Sequence, residues 1–254
     1  MAFFQPDKLP NLMVAPNGAR RVKKDHPEVP LTRSETVEVA KNCFEAGAGA
    51  IHLHVRNNKG DHVLDAGLYK EALNELEHQV PKMHIQVTTE AVGKYSPEEM
   101  RKLAYDVTPP GTSIGTAELI PSRKPAEEDI KLYKYLTEAG TKIQHILYNP
   151  QDVNLLVNLL NKAEISIEGA WCLFVIGHYT GKISYPEKIP EFLKVMKDNN
   201  VNLDWSICAF AKEEMSCLEK AISLGGKIRV GFENSLRSEE RRVGKECRSR
   251  GTPY

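Results

Sequence analysis

The stretch EAGAGAIHLHVR (45–56) joins two kinds of structure in a few residues. Gly47 and Gly49 follow an amphipathic segment, which is typical of the end of a helix. The apolar run AIHLHV (50–55) comes next and is typical of a buried strand. The same change from an amphipathic segment to a short apolar run recurs along the chain. Such alternation predicts parallel strands joined by right-handed helical crossovers.

Eight apolar runs are candidate strands, and several are apolar throughout, as strands buried on both faces should be. They are NLMVAPNG (11–18), AIHLHV (50–55), HIQVTTE (84–90), GTSIGT (111–116), KIQHILY (142–148), WCLFVIG (171–177), NLDWSICAFA (202–211) and KIRVGFEN (227–234). Eight strands in a chain of 254 residues predict an α/β fold, a (β/α)8 TIM barrel that forms a single domain over residues 1–236. A doubly wound open sheet is the alternative, but no glycine-rich nucleotide motif follows the first strand.

The segments between these runs carry helix signals. TRSE (32–35) and SPEE (96–99) have the capping-box pattern, in which a Ser or Thr cap is followed by Glu three residues later. Further helices are predicted at about 65–79, 125–139, 150–163, 186–199 and 213–224. Glycines in SLGGK, as in EAGAGA, mark a helix end.

The final segment, RSEERRVGKECRSRGTPY (237–254), has no apolar period and is rich in arginine. It resembles the in-frame translation of a common sequencing adapter. We therefore expect residues 237–254 to be non-native, and the barrel to lack the helix that should follow strand eight. A basic, disordered tail that binds anions is the alternative.

Composition excludes several classes of protein. Lys plus Arg and Asp plus Glu both number 34, so no charge excess favours binding to nucleic acid or an anionic membrane. The five cysteines show no CxxC spacing, which argues against a disulfide framework or a cysteine metal site. No membrane-spanning apolar run and no signal peptide are visible. We expect a cytoplasmic protein.

The HLH pattern at residues 52–54 predicts a metal site. Residues i and i+2 of a strand project to the same side, so His52 and His54 would both face the barrel mouth. Imidazole pairs suit zinc and similar divalent ions, and a third ligand is needed. The alternative is a pair of ordinary histidines that are solvated or hydrogen-bonded in the core.

Glu233 is the candidate third ligand. It ends the apolar run RVGFE, where a carboxylate is costly unless it is paired or bound to metal. In a closed barrel strand eight neighbours strand one, and strand two lies next, so Glu233 would face the two histidines. Arg229, four residues earlier, would share this facing. A buried Arg–Glu pair without metal is the alternative.

Polar residues at nearly every strand end predict a lined pocket. They are Asn17, Arg20, Thr88, Thr89, Glu90, Ser113, Thr116, Gln144, Tyr148 and His178. Arg20 and Arg229 would make this pocket receptive to carboxylates. Five other histidines are weaker candidates. His26, His62 and His78 are predicted on the surface, His84 at the far end of the barrel, and His145 outside it.

Several motifs occur together in a recognisable order. They are NGARRVKKDHPEVPLTRSE, AGAGAIHLHVRNNKGDHVLD, VTTEAVGKYSPEE, KIQHILYNPQDV, LFVIGHYTG and GGKIRVGFEN. Over roughly 11–236 the chain resembles the beta-keto acid cleavage enzymes, whose founding activity splits 3-keto-5-aminohexanoate. The resemblance implies a zinc-dependent barrel, a homo-tetramer, that converts a beta-keto acid and acetyl-CoA into acetoacetate and a new acyl-CoA.

The resemblance also implies site residues. It gives His52, His54 and Glu233 as metal ligands and Arg229 as a catalytic residue. It places Thr88 and Ser113 in the substrate pocket, where we also expect Asn17 and Arg20. A catalytic base, if one is needed, would be Glu90 or a metal-bound hydroxide.

The chain departs from the family pattern at three positions. Asn234 stands where an acidic residue is expected, and Gln144 where a catalytic glutamate is expected; both amides can orient a substrate but cannot act as bases. Arg20 replaces a glutamate that binds an amino group, which favours an anionic or neutral keto acid. A zinc hydrolase that does not use CoA and a catalytically impaired barrel that binds a carboxylate metabolite are the alternatives.

Overall fold

Eight parallel strands close into a barrel in the order β1 to β8, with β8 paired to β1. The computed structural model describes residues 3–177 and 184–236. The strands are β1 (Leu12–Val14), β2 (Ala50–Leu53), β3 (His84–Thr88), β4 (Gly111–Gly115), β5 (Lys142–Leu147), β6 (Trp171–Ile176), β7 (Asp204–Ala209) and β8 (Lys227–Val230). Closure confirms the TIM barrel and excludes the open sheet.

Helices follow the strands on the outside of the barrel. They are α1 (Arg33–Glu45), α2 (Ala66–Gln79), α3 (Pro97–Val107), α4 (Thr116–Leu119), α5 (Glu127–Glu138), α6 (Asp152–Ala163), α7 (Lys188–Asp198) and α8 (Glu214–Ser223), with a 3₁₀ turn at Ala211–Glu213. Helix α4 was not predicted, because a single turn without a side-chain cap leaves no periodic pattern in the sequence. The described residues after β8, 231–236, contain a turn at 232–234.

Two predicted caps are present in the structure. The Thr32 hydroxyl accepts a hydrogen bond from the amide of Glu35 at 3.2 Å, and the Glu35 carboxylate accepts one from the Thr32 amide at 2.9 Å. Ser96 and Glu99 make the same reciprocal pair at the start of α3. These caps satisfy amide groups that the first helical turn leaves without partners.

The barrel interior is layered. Met13, Ala50 and Trp171 form an apolar floor at the amino-terminal ends of the strands. Above this floor lies a buried polar layer that includes Gln86, Gln144 and Ser206, and the mouth lies above that layer. The apolar faces of the helices pack on the outside of the strands. The carboxyl ends of the strands therefore carry the polar groups that can meet a substrate.

Some predictions fall outside this description. The proposed non-native segment 237–254 and His178 lie outside the described residues. The expected absence of a helix after β8 stays untested for the same reason. Among the helices of the described ranges, none is both long and apolar enough to cross a membrane.

Candidate functional site

The three predicted metal ligands meet at the barrel mouth. The Nε2 atoms of His52 and His54 lie 3.0 Å apart. One Glu233 oxygen, Oε2, lies 3.7 Å from the first and 3.9 Å from the second. One possible ligand atom from each of the three residues lies within 4.8 Å of the other two. Glu233 stands in the turn after β8, beyond the strand itself, and its amide donates to the carbonyl of Ala15.

The charges around this cluster favour a cation. Burial lowers the pKa of His52 and of His54 well below the ordinary histidine range, and the positive charge of Arg229 lowers both further. The imidazoles are therefore neutral and able to act as ligands. Burial raises the pKa of Glu233 while Arg229 opposes that rise. The buried Oε2 of Glu233 has no hydrogen-bond donor among the described residues, so two neutral imidazoles and this oxygen fit a divalent cation such as zinc.

Arg229 rises from β8 into the site. Its Nη2 donates to Glu233 Oε1 at 3.0 Å and contacts the Cys208 sulfur at 3.6 Å. Within the described ranges its Nε and Nη1 have no partner, although the residue is buried. Two buried N–H groups without partners are costly unless a ligand or water accepts from them. Asn234, beside Glu233, is also buried, and neither atom of its amide has a partner in the described part of the chain.

Two neighbouring cavities lie at the mouth. The inner one is lined by His52, Arg229 and Glu233 together with Thr88, Glu90, Ile146 and Tyr148. The outer one, of about 250 Å³, is lined by residues 17–21 with Glu90 and Glu233. Since Glu90 and Glu233 line both cavities, the outer cavity adjoins the proposed metal centre.

The polar residues predicted for the pocket have separate places. Arg20 lies at the outer cavity, with Nη1 3.4 Å from Glu90 Oε1. The Thr88 hydroxyl accepts from the Glu90 amide at 3.0 Å. The amide of Asn17 donates to the carbonyls of Pro30 and His54, so part of its hydrogen-bonding capacity holds the loop. Ser113 is buried, does not line the inner cavity, and has no partner for its hydroxyl in the ranges described.

The chain is similar in sequence to known proteins. Residues 11–247 match the sequence model for the beta-keto acid cleavage enzymes. The chain belongs to this family. Membership makes it an enzyme of beta-keto acid cleavage, as the resemblance implied. The match extends into the segment 237–254, whose predicted non-native origin stays a prediction.

Curated relatives of this family member are distant but nearly collinear with it. A 3-keto-5-aminohexanoate cleavage enzyme of Acetoanaerobium sticklandii is 25% identical over 227 residues, which cover 88% of this chain and 82% of the relative. A 3-oxoadipate:acetyl-CoA acetyltransferase of Cupriavidus necator is 23% identical over 235 residues, covering 90% and 81%. Among solved structures, the complex of ObcA with oxaloacetate has a TM-score of 0.66 at 15% identity. It covers 83% of this chain, which spans 58% of the ObcA chain, and the likeness shows the fold alone.

Gln144 lies deeper in the barrel than the sequence suggested. Its side chain is hydrogen-bonded to Gln86 and Ser206 in the buried polar layer. On β5 the residue that lines the inner cavity is Ile146, two positions further along. This placement corrects the expectation that Gln144 lines the catalytic pocket beside the metal ligands. Its catalytic role stays a prediction.

His62 was predicted on the surface, and this prediction is wrong. It is only 5% exposed, because the chain after β2 folds back and pairs Arg56 with His62. The other four weaker histidines lie as expected or close to it. His78 is exposed and His26 half-exposed. His84 packs on Trp171 at the barrel floor, and His145 stacks on Tyr133 of α5 outside the barrel.

Glu118 and Arg56 were not singled out from the sequence as site residues. The Tyr148 hydroxyl donates to Glu118 Oε1 at 3.0 Å at the edge of the inner cavity. Burial raises the pKa of that carboxyl. Arg56, the last residue of the opening stretch, donates to loop carbonyls, those of Gly18, Ala19, Arg21 and Gly60. An arginine two residues after HLH was the available signal, but its partners are backbone atoms and leave no sequence pattern.

Proposed function

We propose that this chain transfers an acyl group between a beta-keto acid and acetyl-CoA, giving acetoacetate and a new acyl-CoA in a Claisen/retro-Claisen reaction. The supporting observation is the meeting of His52, His54 and Glu233 at the mouth of the barrel, where Glu233 Oε2 has no hydrogen-bond donor within the described part of the chain. Two curated relatives carry acetyl-CoA in their names, as transferases that act on 3-oxoadipate and on 3,5-dioxohexanoate.

We assign zinc to the three-ligand cluster because two imidazoles and one carboxylate leave a fourth position open for substrate. When bound, zinc supplies Lewis acidity that polarises the keto group and stabilises negative charge on oxygen. The chain's own residues do the rest. Arg229 offers its unpaired Nε and Nη1 to the substrate carboxylate or to the developing oxyanion. Glu90, whose Oε2 lies 3.8 Å from His54 Nε2, is the proposed proton acceptor.

The outer cavity suggests the substrate class. Arg20 and Arg21 line it beside Asn17, so the distal end of the substrate meets guanidinium groups. An amino group there would be repelled, and a carboxylate would be attracted. We therefore propose a beta-keto acid with a neutral or anionic distal end. Thr88 and Ser113 provide hydroxyl groups near and below the inner cavity.

Location and assembly follow as parts of the same proposal. The cysteines among the described residues, Cys43, Cys172, Cys208 and Cys217, are free, as expected in a reducing cytoplasm. The family resemblance favours a homo-tetramer. The substrates are small molecules, and no charge excess favours nucleic acid.

The proposal is tested by incubating the purified chain with a panel of beta-keto acids and acetyl-CoA, and by measuring acetoacetate and new acyl-CoA thioesters by mass spectrometry. We expect turnover that is abolished by a chelator and restored by zinc. Full turnover after complete metal removal contradicts the metal assignment. Product without CoA identifies the hydrolase alternative, and binding without turnover identifies the impaired barrel.

A further inference from the structure

A buried contact behind His54 sets where its proton lies. His62 Nε2 lies 3.3 Å from the carbonyl oxygen of Glu90. A carbonyl can only accept, so Nε2 of His62 carries the hydrogen. In the neutral ring the other nitrogen, Nδ1, is then an acceptor. That Nδ1 lies 3.4 Å from His54 Nδ1, which must therefore donate.

A longer hydrogen-bond network crosses the barrel behind His52. Its far end is the carbonyl of Cys172, which accepts from the Ser206 hydroxyl at 3.2 Å and from Gln144 Nε2 at 3.5 Å. Gln144 Nε2 also donates to Ser206 Oγ at 3.0 Å. Turning the Gln144 amide over would set its oxygen against the Cys172 carbonyl, which is repulsive.

The donor and acceptor roles in this network extend to His52. With Nε2 of Gln144 committed to Ser206 and Cys172, its Oε1 accepts from Gln86 Nε2 at 2.9 Å. The oxygen of the Gln86 amide then faces His52 Nδ1 at 2.8 Å. An amide oxygen can only accept, so Nδ1 of His52 carries the hydrogen.

We propose that these two hydrogen-bond networks, each of which ends on a backbone carbonyl, hold both His52 and His54 as Nδ1–H tautomers. Both Nε2 lone pairs then face one metal position. Gln86, Gln144, Ser206 and His62 are thus positioning residues for the metal centre. The inference rests on the proposed function and deepens it. It also gives Gln144 a role that its depth in the barrel permits, because it acts through Gln86 and does not contact the substrate.

The test measures zinc affinity directly, by competition of the purified full chain with a chromophoric chelator. Gln86→Met and His62→Phe each keep side-chain bulk. The first removes the hydrogen bond to His52, and the second removes the one to His54. We expect each to weaken zinc binding about 10- to 100-fold, as is usual for partners of metal-bound histidines. The absorption bands of bound Co²⁺ should shift as well, since the ligand geometry relaxes.

A control separates positioning from general damage. Thr112→Ala removes another buried hydrogen bond, the one to the Val87 carbonyl, and should leave zinc affinity unchanged. Gln144→Met removes the oxygen that accepts from Gln86 Nε2, so it should weaken zinc binding as Gln86→Met does. Gln144→Met also tests the hydrogen-bond network behind His52 if Gln86→Met fails to fold.

The outcomes are distinguishable. A wild-type chain that binds no zinc contradicts the proposed function, and the inference falls with it. Tight zinc binding by the wild type, with equal affinity in Gln86→Met and His62→Phe, overturns the inference alone. A zinc affinity of Gln144→Met equal to that of the wild type overturns the role of the hydrogen-bond network behind His52.

Discussion

Gly18 lies so close to Glu233 that a Cβ on residue 18 would stand 2.4 Å from Cγ of that side chain. Its φ is +59°, in the left-handed region that favours glycine. The loop that carries Gly18 is held in turn by the guanidinium of Arg56, which donates to the carbonyls of Ala19 and Arg21 at 3.0 and 3.1 Å. The position of a proposed metal ligand at one end of the chain is therefore set by a loop at the other end.

Gly18→Ala should displace the Glu233 carboxylate. We expect zinc affinity to fall by about tenfold or more, as for other contacts that orient metal ligands. Gly93→Ala is the matched control, because Gly93 has a φ of +70° but nothing within 4 Å of an added Cβ. Both variants carry the backbone strain, and only Gly18→Ala meets the carboxylate. Equal zinc affinities, measured by chelator competition, would show that the close packing is irrelevant to the centre.

Removing the charge partner of Glu233 should have a different effect. In Arg229→Met the carboxylate stays buried without its 3.0 Å ion pair, so its pKa should rise further. We expect the metal-free protein to lose about 3–5 kcal/mol of stability, as when one partner of a buried pair is deleted. The pH midpoint of zinc binding should move upward. Denaturant unfolding and zinc titrations across pH check both, and an unchanged midpoint would contradict the coupling.

The distal specificity should depend on Arg20. Arg20→Glu sets a second carboxylate beside Glu90, 3.4 Å from the present Nη1. We expect KM for a keto acid with a distal carboxylate to rise about tenfold, with a smaller change in kcat. A tenfold change corresponds to the free energy of roughly one hydrogen bond to a charged group. Lys24→Glu makes the same charge change on an exposed residue of the same loop and should leave KM unaltered. A similar KM shift in both variants would point to overall charge as the cause.

Stability should fall in acid, in part because of two buried histidines far from the centre. Burial lowers the pKa of His84 and of His145 from 6.5 to about 4. Between these values the unfolded chain takes up protons that the folded chain refuses, so stability rises with pH across this window. Each residue should contribute up to about 3 kcal/mol of stability at pH 7 that is lost by pH 4.

Denaturant unfolding at several pH values, with a chelator present to remove metal effects, measures this slope. His145→Gln should make the slope less steep, since a residue that does not titrate replaces one of the buried histidines. A slope unchanged by that variant would assign the acid sensitivity to other groups.

The sequence predicted what depends on local period and ring closure. The spacing of His52 and His54 gave their common facing, and the closing of β8 on β1 gave Glu233 as their neighbour. Depth along a strand was harder. Gln144 and Ile146 share a facing, and only the three-dimensional stagger of the strands decides which of them reaches the cavity. His62 is buried by a backbone fold after β2 that no local pattern announces.

The closing pair β8 and β1 also has a consequence for the newly made chain. The two histidines emerge early in synthesis, whereas Glu233 comes only after the last strand. A partly synthesised polypeptide therefore has two of its three ligands and no mouth. Tight zinc binding would therefore require closure of the barrel, and bound zinc would in turn stabilise the closed barrel by mass action.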